Sequence, residues 1–201
     1  MSNFIHPTSI IGENVILGKN NYIGPFCYIT GETIIGDNNR FEAHSSIGTP
    51  AEHNDYFLEN PKRLIIGDNN IFREFTTVNA GTKDTTIIYN NMKMLRGSHV
   101  GHDCIIHDNV TLSCNSIIGG HSILMKGANF GLGSICHQFS KIGAYALIGM
   151  GGIITKKSNI SPFGIYVGSP VKFIKENIVG IERNNISSEE IINFKKEYEN
   201  L

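Results

Sequence analysis

The sequence predicts a parallel β-helix, in which every six residues form one short strand and one turn of a coil. From Val100 to Ile154 an apolar residue recurs at every sixth position without a break. An amphipathic helix repeats every 3.6 residues and a half-buried strand every two, so neither element explains this period. A hexad that forms one wall of a coil does explain it, because stacked coils bury the recurring side chains in a continuous core.

The fourth position after each apolar residue supports the same fold, because it holds a small side chain in every hexad from Cys104 to Ala146. Small side chains suit the tight corner beside a large one. The hexads begin at Ile11, pause after Ile47 and resume at Ile66. Three hexads make one triangular coil, so residues eighteen positions apart are expected to lie directly above one another.

This stacking rule places reactive side chains on one face of the coil. One column of that face consists of His102, Gly120 and Gln138. The neighbouring column consists of Asp103, His121 and Phe139. Converging histidines permit a zinc site, which requires three or four ligands, but glycine and glutamine are poor metal partners. A histidine, with a reference pKa near 6.5, suits general-base chemistry. We therefore expect an acid–base role for this face and no metal.

Two segments interrupt the hexads and are predicted to form loops, at about 49–65 and about 80–95. Neither has an apolar period of its own. Long loops of this kind are usually functional. Both precede the histidine-rich face and are placed to fold over it.

The predicted domains are a β-helix over 1–160 and a helical extension over 161–201. Residues 171–183 are predicted to form one helix, with apolar Phe173, Ile174, Ile178 and Ile181. A Ser-x-x-Glu capping box, Ser187 to Glu190, opens a second helix that reaches Glu199. The apolar stripe of this helix needs a partner, either the end of the coil or a neighbouring subunit.

Composition excludes several classes of protein. The 201 residues carry a formal net charge of −1 with no run of Lys or Arg, which gives no electrostatic footprint for nucleic acid. The chain has no long apolar stretch and no basic leader after Met1, so we expect no membrane span and a cytoplasmic protein. The four cysteines lack zinc-ligand spacing and are expected to fill the core.

Three motifs, at 99–103, 112–121 and 136–144, resemble those of the UDP-N-acetylglucosamine O-acyltransferases of lipid A synthesis. The resemblance runs from His6 to about Ser187. It implies a left-handed parallel β-helix that assembles as a homotrimer. It also implies transfer of an acyl group from acyl carrier protein to a sugar hydroxyl.

By the same resemblance, His102 is the general base, Asp103 supports it, and the Gly120 N–H faces the oxyanion. The positions that the resemblance implies for substrate contact are His99, His121, His137, Gln138, Asn177 and Arg183.

Several positions depart from the family pattern. Asn54 and Tyr56 stand near the positions of a sugar-binding Asp and Lys. Met150 replaces a glycine of long-chain members, where its side chain would fill the end of an acyl groove and favour short acyl groups. The sugar therefore stays open, as do hydroxyl or amine acylation and the carrier, which is acyl carrier protein or coenzyme A.

Three hypotheses remain. The leading one is an acyltransferase that uses a thioester co-substrate, a nucleotide-sugar acceptor and no other cofactor. The second is a zinc enzyme of the carbonic anhydrase type, a class that also uses left-handed β-helices. The third is a catalytically idle scaffold, which the stacking of the histidines argues against.

Overall fold

The computed structural model describes residues 2–52 and 63–201, and its strands stack into the three faces of a triangular coil. The chain visits the faces in the order A, B, C. Face A ends in a hairpin and consists of β1 (Phe4–Ile5), β4 (Tyr22–Ile23), β7 (Arg40–Phe41), β10 (Ile71–Phe72), β13 (Lys93–Met94), β16 (Thr111–Leu112), β19 (Asn129–Phe130), β22 (Leu147–Ile148), β24 (Gly164–Gly168) and β25 (Val171–Glu176).

Faces B and C complete the coil. Face B consists of β2 (Ile10–Ile11), β5 (Tyr28–Ile29), β8 (Ser46–Thr49), β11 (Thr77–Asn79), β14 (His99–Val100), β17 (Ile117–Ile118), β20 (Ile135–Cys136) and β23 (Ile153–Ile154). Face C consists of β3 (Ile16–Leu17), β6 (Thr33–Ile35), β9 (Leu64–Ile66), β12 (Thr86–Ile88), β15 (Ile105–Ile106), β18 (Ile123–Leu124) and β21 (Lys141–Ile142). The predicted fold class is confirmed.

The register confirms the stacking rule. Val100 pairs in parallel with Ile118, and Ile118 pairs with Cys136. All three side chains are at most 2% exposed, so the sixth-position residues form the core as predicted. Lower in the coil, Thr77 pairs with His99, 22 positions later. The four extra residues therefore lie between strands, and the apolar residues of the strands still face inward.

The predicted loop at 80–95 is wrong in its extent. Strands β12 and β13 lie inside it, and Ile88 and Met94 are both fully buried in the core. These two residues continue the six-residue count into Val100, with a methionine in the place of a branched aliphatic residue. Only the short stretch between Asn79 and Thr86 leaves the coil, at the edge between faces B and C.

The other predicted loop, 49–65, leaves face B after Thr49 and rejoins face C at Leu64. It interrupts the chain at the same edge of the triangle as the first. Residues 53–62 lie outside the described residues, and the substitutions Asn54 and Tyr56 fall among them.

The predicted helix at 171–183 is also wrong for its first half. Residues 171–176 form β25, which pairs antiparallel with β24, while β24 continues face A above β22. β24 has an open edge at the end of face A, and β25 pairs with it. This pairing satisfies backbone N–H and C=O groups that would otherwise bond within a helix. Helix α1 is confined to Ile178–Arg183.

The second helix, α2 (Ser188–Glu199), is confirmed together with its capping box. Its apolar residues Ile191, Phe194 and Tyr198 pack against Tyr145 and Phe163 at the edge between faces C and A. Within this chain the partner of the helix is therefore the side of the coil. No helix among the described residues is long and apolar enough to cross a membrane.

A ladder of buried asparagines fixes the register along the C–A edge. The Asn39 carboxamide oxygen accepts from the Asn70 N–H (2.9 Å), and its NH₂ group donates to the Gly67 carbonyl (2.9 Å). Asn21 accepts from the Asn39 N–H in the same way (2.8 Å). Each buried asparagine side chain therefore satisfies backbone groups of the coil above it.

Removing one step of this ladder should destabilise the coil. In Asn39→Ala the Asn70 N–H and the Gly67 carbonyl lose their partners, and we expect the free energy of unfolding to fall by about 2–4 kcal/mol. Chemical denaturation measures the change, with Asn129→Ala on the exposed side of β19 as the control. A loss equal to that of the control would show that the ladder does not hold the register.

Candidate active site

The histidine-rich columns lie on the edge between faces B and C. We call the three stacked turns at 101–104, 119–122 and 137–140 the histidine edge. Asp103, His121 and Phe139 take positive φ angles of 58°, 57° and 61°, which repeats one backbone bend in successive coils. The His121 and Phe139 rings stack at 4.4 Å. The columns expected from the sequence are therefore present.

Asp103 is the most constrained residue of the edge. Its side chain is 0% exposed. One carboxylate oxygen accepts from the N–H groups of Thr82 (2.8 Å), Lys83 (3.2 Å) and Asp84 (2.8 Å). The other accepts from the Thr82 hydroxyl (2.6 Å) and from His102. Burial alone would raise the pKa of Asp103, but these hydrogen bonds outweigh burial and lower it.

His102 forms a short pair with this carboxylate. Its Nδ1 lies 2.6 Å from Asp103 Oδ2, and its side chain is 13% exposed. An ionised carboxylate only accepts hydrogen bonds, so Nδ1 carries the proton and Nε2 carries the lone pair of the neutral ring. Asp103 therefore fixes both the tautomer and the orientation of His102, and places its basic atom at Nε2.

Gly120 makes room for this ring. A Cβ atom at Gly120 would lie 2.8 Å from His102 Nε2 and from Cε1, closer than side chains approach one another. Only glycine therefore permits His102 to lie under the next turn, and the backbone of Gly120 borders the reactive nitrogen.

His121 is the third member of the cluster. Its Nε2 lies 3.4 Å from Asp103 Oδ2, and its ring meets the His102 ring edge-on at 5.0 Å. Its side chain is 21% exposed, so the ring lies between the buried Asp103 carboxylate and solvent.

The other predicted histidines flank this cluster. His99 bonds through Nδ1 to the Thr77 hydroxyl (2.8 Å), and burial lowers its pKa, which favours the neutral ring. His137 and Gln138 are exposed one coil above Gly120. His137 Nδ1 donates to the Gln138 carbonyl (2.7 Å), which leaves its Nε2 as the acceptor nitrogen.

Three predicted site residues lie on other edges of the same chain. Met150 is 75% exposed in the turn between β22 and β23, at the A–B edge. Arg183 is exposed in the last turn of α1, at the C–A edge. Asn177 caps the same helix, where its side chain accepts from the Gly180 N–H and donates to the Tyr145 carbonyl (2.9 Å). Both functional groups of Asn177 thus hold α1 against the coil.

The sequence did not single out two threonines that shape the site. Thr82 supplies a backbone and a hydroxyl donor to Asp103, and the Thr86 hydroxyl accepts from the Asp103 N–H (2.8 Å). The sequence signal that could have pointed to them was the break in the hexads after Asn79. The segment after this break was expected to fold over the histidine-rich face, and its backbone bonds to Asp103 there.

Within the described ranges, His102, Asp103 and His121 form one group that could hold a metal ion, with ligand atoms within 4.8 Å of one another. The Asp103 oxygens, however, already accept five hydrogen bonds, three of them from backbone N–H groups. A metal would have to displace His102 Nδ1 or the Thr82 hydroxyl. The donor set thus fits an oriented histidine better than a zinc centre.

Comparison with known proteins agrees with this geometry. The family described as bacterial transferase hexapeptide (six repeats) matches residues 14–49. A curated acyl-[acyl-carrier-protein]–UDP-N-acetylglucosamine O-acyltransferase from Rickettsia bellii is 38% identical over 123 residues. That match covers 51% of this chain and 43% of the relative, so the chain spans about half the length of the curated relatives it matches.

Solved structures extend the likeness to nearly the whole chain. LpxA from Acinetobacter baumannii superposes with a TM-score of 0.74 at 27% identity, covering 100% of this chain and 82% of that one. A UDP-N-acetylglucosamine acyltransferase from Campylobacter jejuni gives 0.78 at 26% identity, covering 97% and 81%. The zinc carbonic anhydrase alternative is not favoured by these relatives. The resemblance predicted from the motifs is therefore confirmed, and the chain is similar in sequence and in fold to the UDP-N-acetylglucosamine O-acyltransferases.

Proposed function

We propose that this chain is an acyltransferase that moves an acyl group from a thioester to a hydroxyl or amine of a nucleotide-linked sugar. The observation that carries the proposal is the buried Asp103 carboxylate, bonded at 2.6 Å to His102 beside Gly120. This arrangement supplies a base with a fixed proton-accepting nitrogen, and the adjacent Gly120 offers its backbone N–H as the proposed oxyanion donor. The names of the relatives supply the donor, acyl carrier protein, and an acceptor of the class of UDP-N-acetylglucosamine.

In the proposed reaction, His102 Nε2 takes the proton of the acceptor as its oxygen or nitrogen attacks the thioester carbonyl. The carbonyl oxygen becomes an oxyanion, which the Gly120 N–H stabilises; removing such a donor elsewhere costs about 3–4 kcal/mol. The C–S bond then breaks, and the imidazolium returns the proton to the departing thiolate. Proton and charge balance at each step, and no metal or further cofactor is needed.

Asp103 acts through His102 and does not touch the substrate. Its lowered pKa keeps the carboxylate ionised throughout the neutral range, so it stabilises the imidazolium that forms during the attack. The pH–rate profile should accordingly show no titration of Asp103 in the neutral range.

The substrate contacts span more than one edge of the coil. His99, His121, His137 and Gln138 border the base and are proposed to bind the nucleotide sugar, whereas Met150 and Arg183 lie on the other edges. We therefore propose a homotrimer, in which the histidine edge of one copy faces other edges of its neighbour. Ile117 and Ile135, on face B beside the histidine edge, are 43% and 41% exposed and supply an apolar surface for association.

Two residues define the donor side of the proposed site. Met150 closes the acyl groove and selects short acyl groups, as the departure from the family pattern implies. Arg183 contacts the donor, and Asn177 contributes by holding α1 in place.

Replacing the base should abolish turnover without unfolding the chain. For His102→Ala we expect kcat to fall about 10³-fold, the range of a general base, with an unchanged melting temperature. The assay follows thiol release from 3-hydroxyacyl carrier protein with UDP-N-acetylglucosamine and with amino-sugar nucleotides.

His107→Ala is the matched control, because His107 lies in the turn after β15, at the C–A edge, and stacks on Tyr89. The control should retain the wild-type rate. A His102→Ala protein with the wild-type rate would contradict the proposed mechanism.

The hydrogen bond from Thr82 should help to set the pKa of Asp103. Thr82→Val removes the 2.6 Å hydroxyl bond to Oδ2, so the pKa of Asp103 should rise. Loss of about 1 kcal/mol of orientation should lower kcat about fivefold. Thr82→Ser keeps the hydroxyl and is the control. Carbon-detected NMR titration of the carboxyl reads the pKa, and equal values in the two variants would show that Thr82 does not fix the carboxylate.

A further inference from the structure

A pair of lysines stands on top of the histidine edge, and the proposed mechanism does not use it. Ile154 pairs with Cys136, and Ile160 bridges to Ile142, so the turn at 155–158 stacks on the turn at 137–140. Lys156 thus continues the column that holds His102, and Lys157 continues the column that holds Asp103. This placement follows from the register on both sides of the turn.

The turn itself is locally fixed. The Ser158 N–H donates to the Thr155 carbonyl (2.9 Å), and the Thr155 N–H donates to the Ser158 hydroxyl (3.0 Å). Both lysines occupy the tip between these residues and are exposed. Two exposed lysines therefore follow one another on a turn that is fixed by its own hydrogen bonds.

The stretch of sequence that forms the upper coils carries charge of one sign. Residues 109–175 contain six lysines and no Asp or Glu, although the chain as a whole is nearly neutral. The upper coils consequently have no neighbouring carboxylate in sequence to neutralise Lys156 and Lys157. Such a cluster favours a ligand with a compact negative charge, such as a phosphate.

The edge presents its chemistry in a fixed order from top to bottom. Below the lysines lie the exposed amide of Gln138 and the ring of Phe139, which is 63% exposed. Below these lie Gly120 and then His102. Three strand spacings separate Lys156 from His102, about 14 Å in all.

A phosphopantetheine thioester has the same order of groups. Its phosphate is followed by a branched apolar segment, then by two amides, and finally by the thioester. We infer that Lys156 and Lys157 bind the phosphate of this arm, so that it descends the histidine edge and delivers the thioester carbonyl to His102 and Gly120. The inference rests on the proposed function, and it applies equally to donors on coenzyme A and on acyl carrier protein, since both carry this phosphate.

The test compares donors with and without the phosphate. Acyl-coenzyme A, acyl carrier protein and acyl-pantetheine carry the same acyl group, and acyl-pantetheine lacks the phosphate. In the variant K156A/K157A we expect the KM for both phosphate-bearing donors to rise about 10-fold, as two charge-assisted contacts are lost. The KM for acyl-pantetheine, the KM for the acceptor and kcat should each stay within twofold.

The variant K172A/K175A is the matched control, because it removes two other lysines of the same region, on β25. It should leave the donor KM within twofold. An equal rise in the control would show that the general positive field acts and would overturn the assignment. If the KM rose for acyl-coenzyme A alone, the lysines would contact its nucleotide, and the assignment to the phosphopantetheine phosphate would also be overturned.

The two proposals fail separately. Wild-type protein that transfers no acyl group from any of the three donors contradicts the proposed function. Wild-type protein that transfers the group, while K156A/K157A keeps the wild-type donor KM, contradicts the phosphate site alone. Thermal melts of each variant confirm that a change in KM is not a loss of fold.

Discussion

The parallel register of the coil is the constraint on which the rest of this structure depends. A residue's number decides its face and its height, because each strand pairs with the one eighteen residues on wherever the chain has no insertion. Buried asparagines such as Asn39 hold this register by bonding the backbone of the next coil. Side chains far apart in sequence therefore stack along one edge, as His102, Gly120 and Gln138 do. Both insertions leave the coil at this same edge, and the strands on either side of each keep their parallel pairing.

The second insertion is where fold and proposed function meet. Its backbone turns three N–H groups onto one oxygen of Asp103, and Thr82 adds a hydroxyl to the other. A buried carboxylate without such donors would take up a proton. Because these bonds lower its pKa, Asp103 stays charged and orients His102. The catalytic strength of the edge thus depends on a short loop as much as on the histidine.

The sequence predicted the coil well because its period is unbroken over most of the chain, and the stacking rule alone brought His102 under Gly120. The errors have separate causes. Met94 obscured a buried strand, and the apolar spacing around Phe173 suggested a helix where the open edge of the coil pairs with a hairpin. Thr82 was not predicted, because hydrogen bonds from an irregular loop have no period. That Asn177 contacts the donor stays a prediction, and its side chain also bonds to the Tyr145 carbonyl and the Gly180 N–H.

The central claim is that the histidine edge transfers an acyl group from a thioester to a nucleotide sugar. The most direct measurement is a matrix assay of the wild-type protein. It crosses acetyl, 3-hydroxybutyryl, 3-hydroxydecanoyl and 3-hydroxymyristoyl thioesters, on both carriers, with UDP-N-acetylglucosamine and a panel of amino-sugar nucleotides. We expect an acylated nucleotide sugar, formed fastest with a short acyl group. The absence of acylated product in every combination, from folded protein, would contradict it.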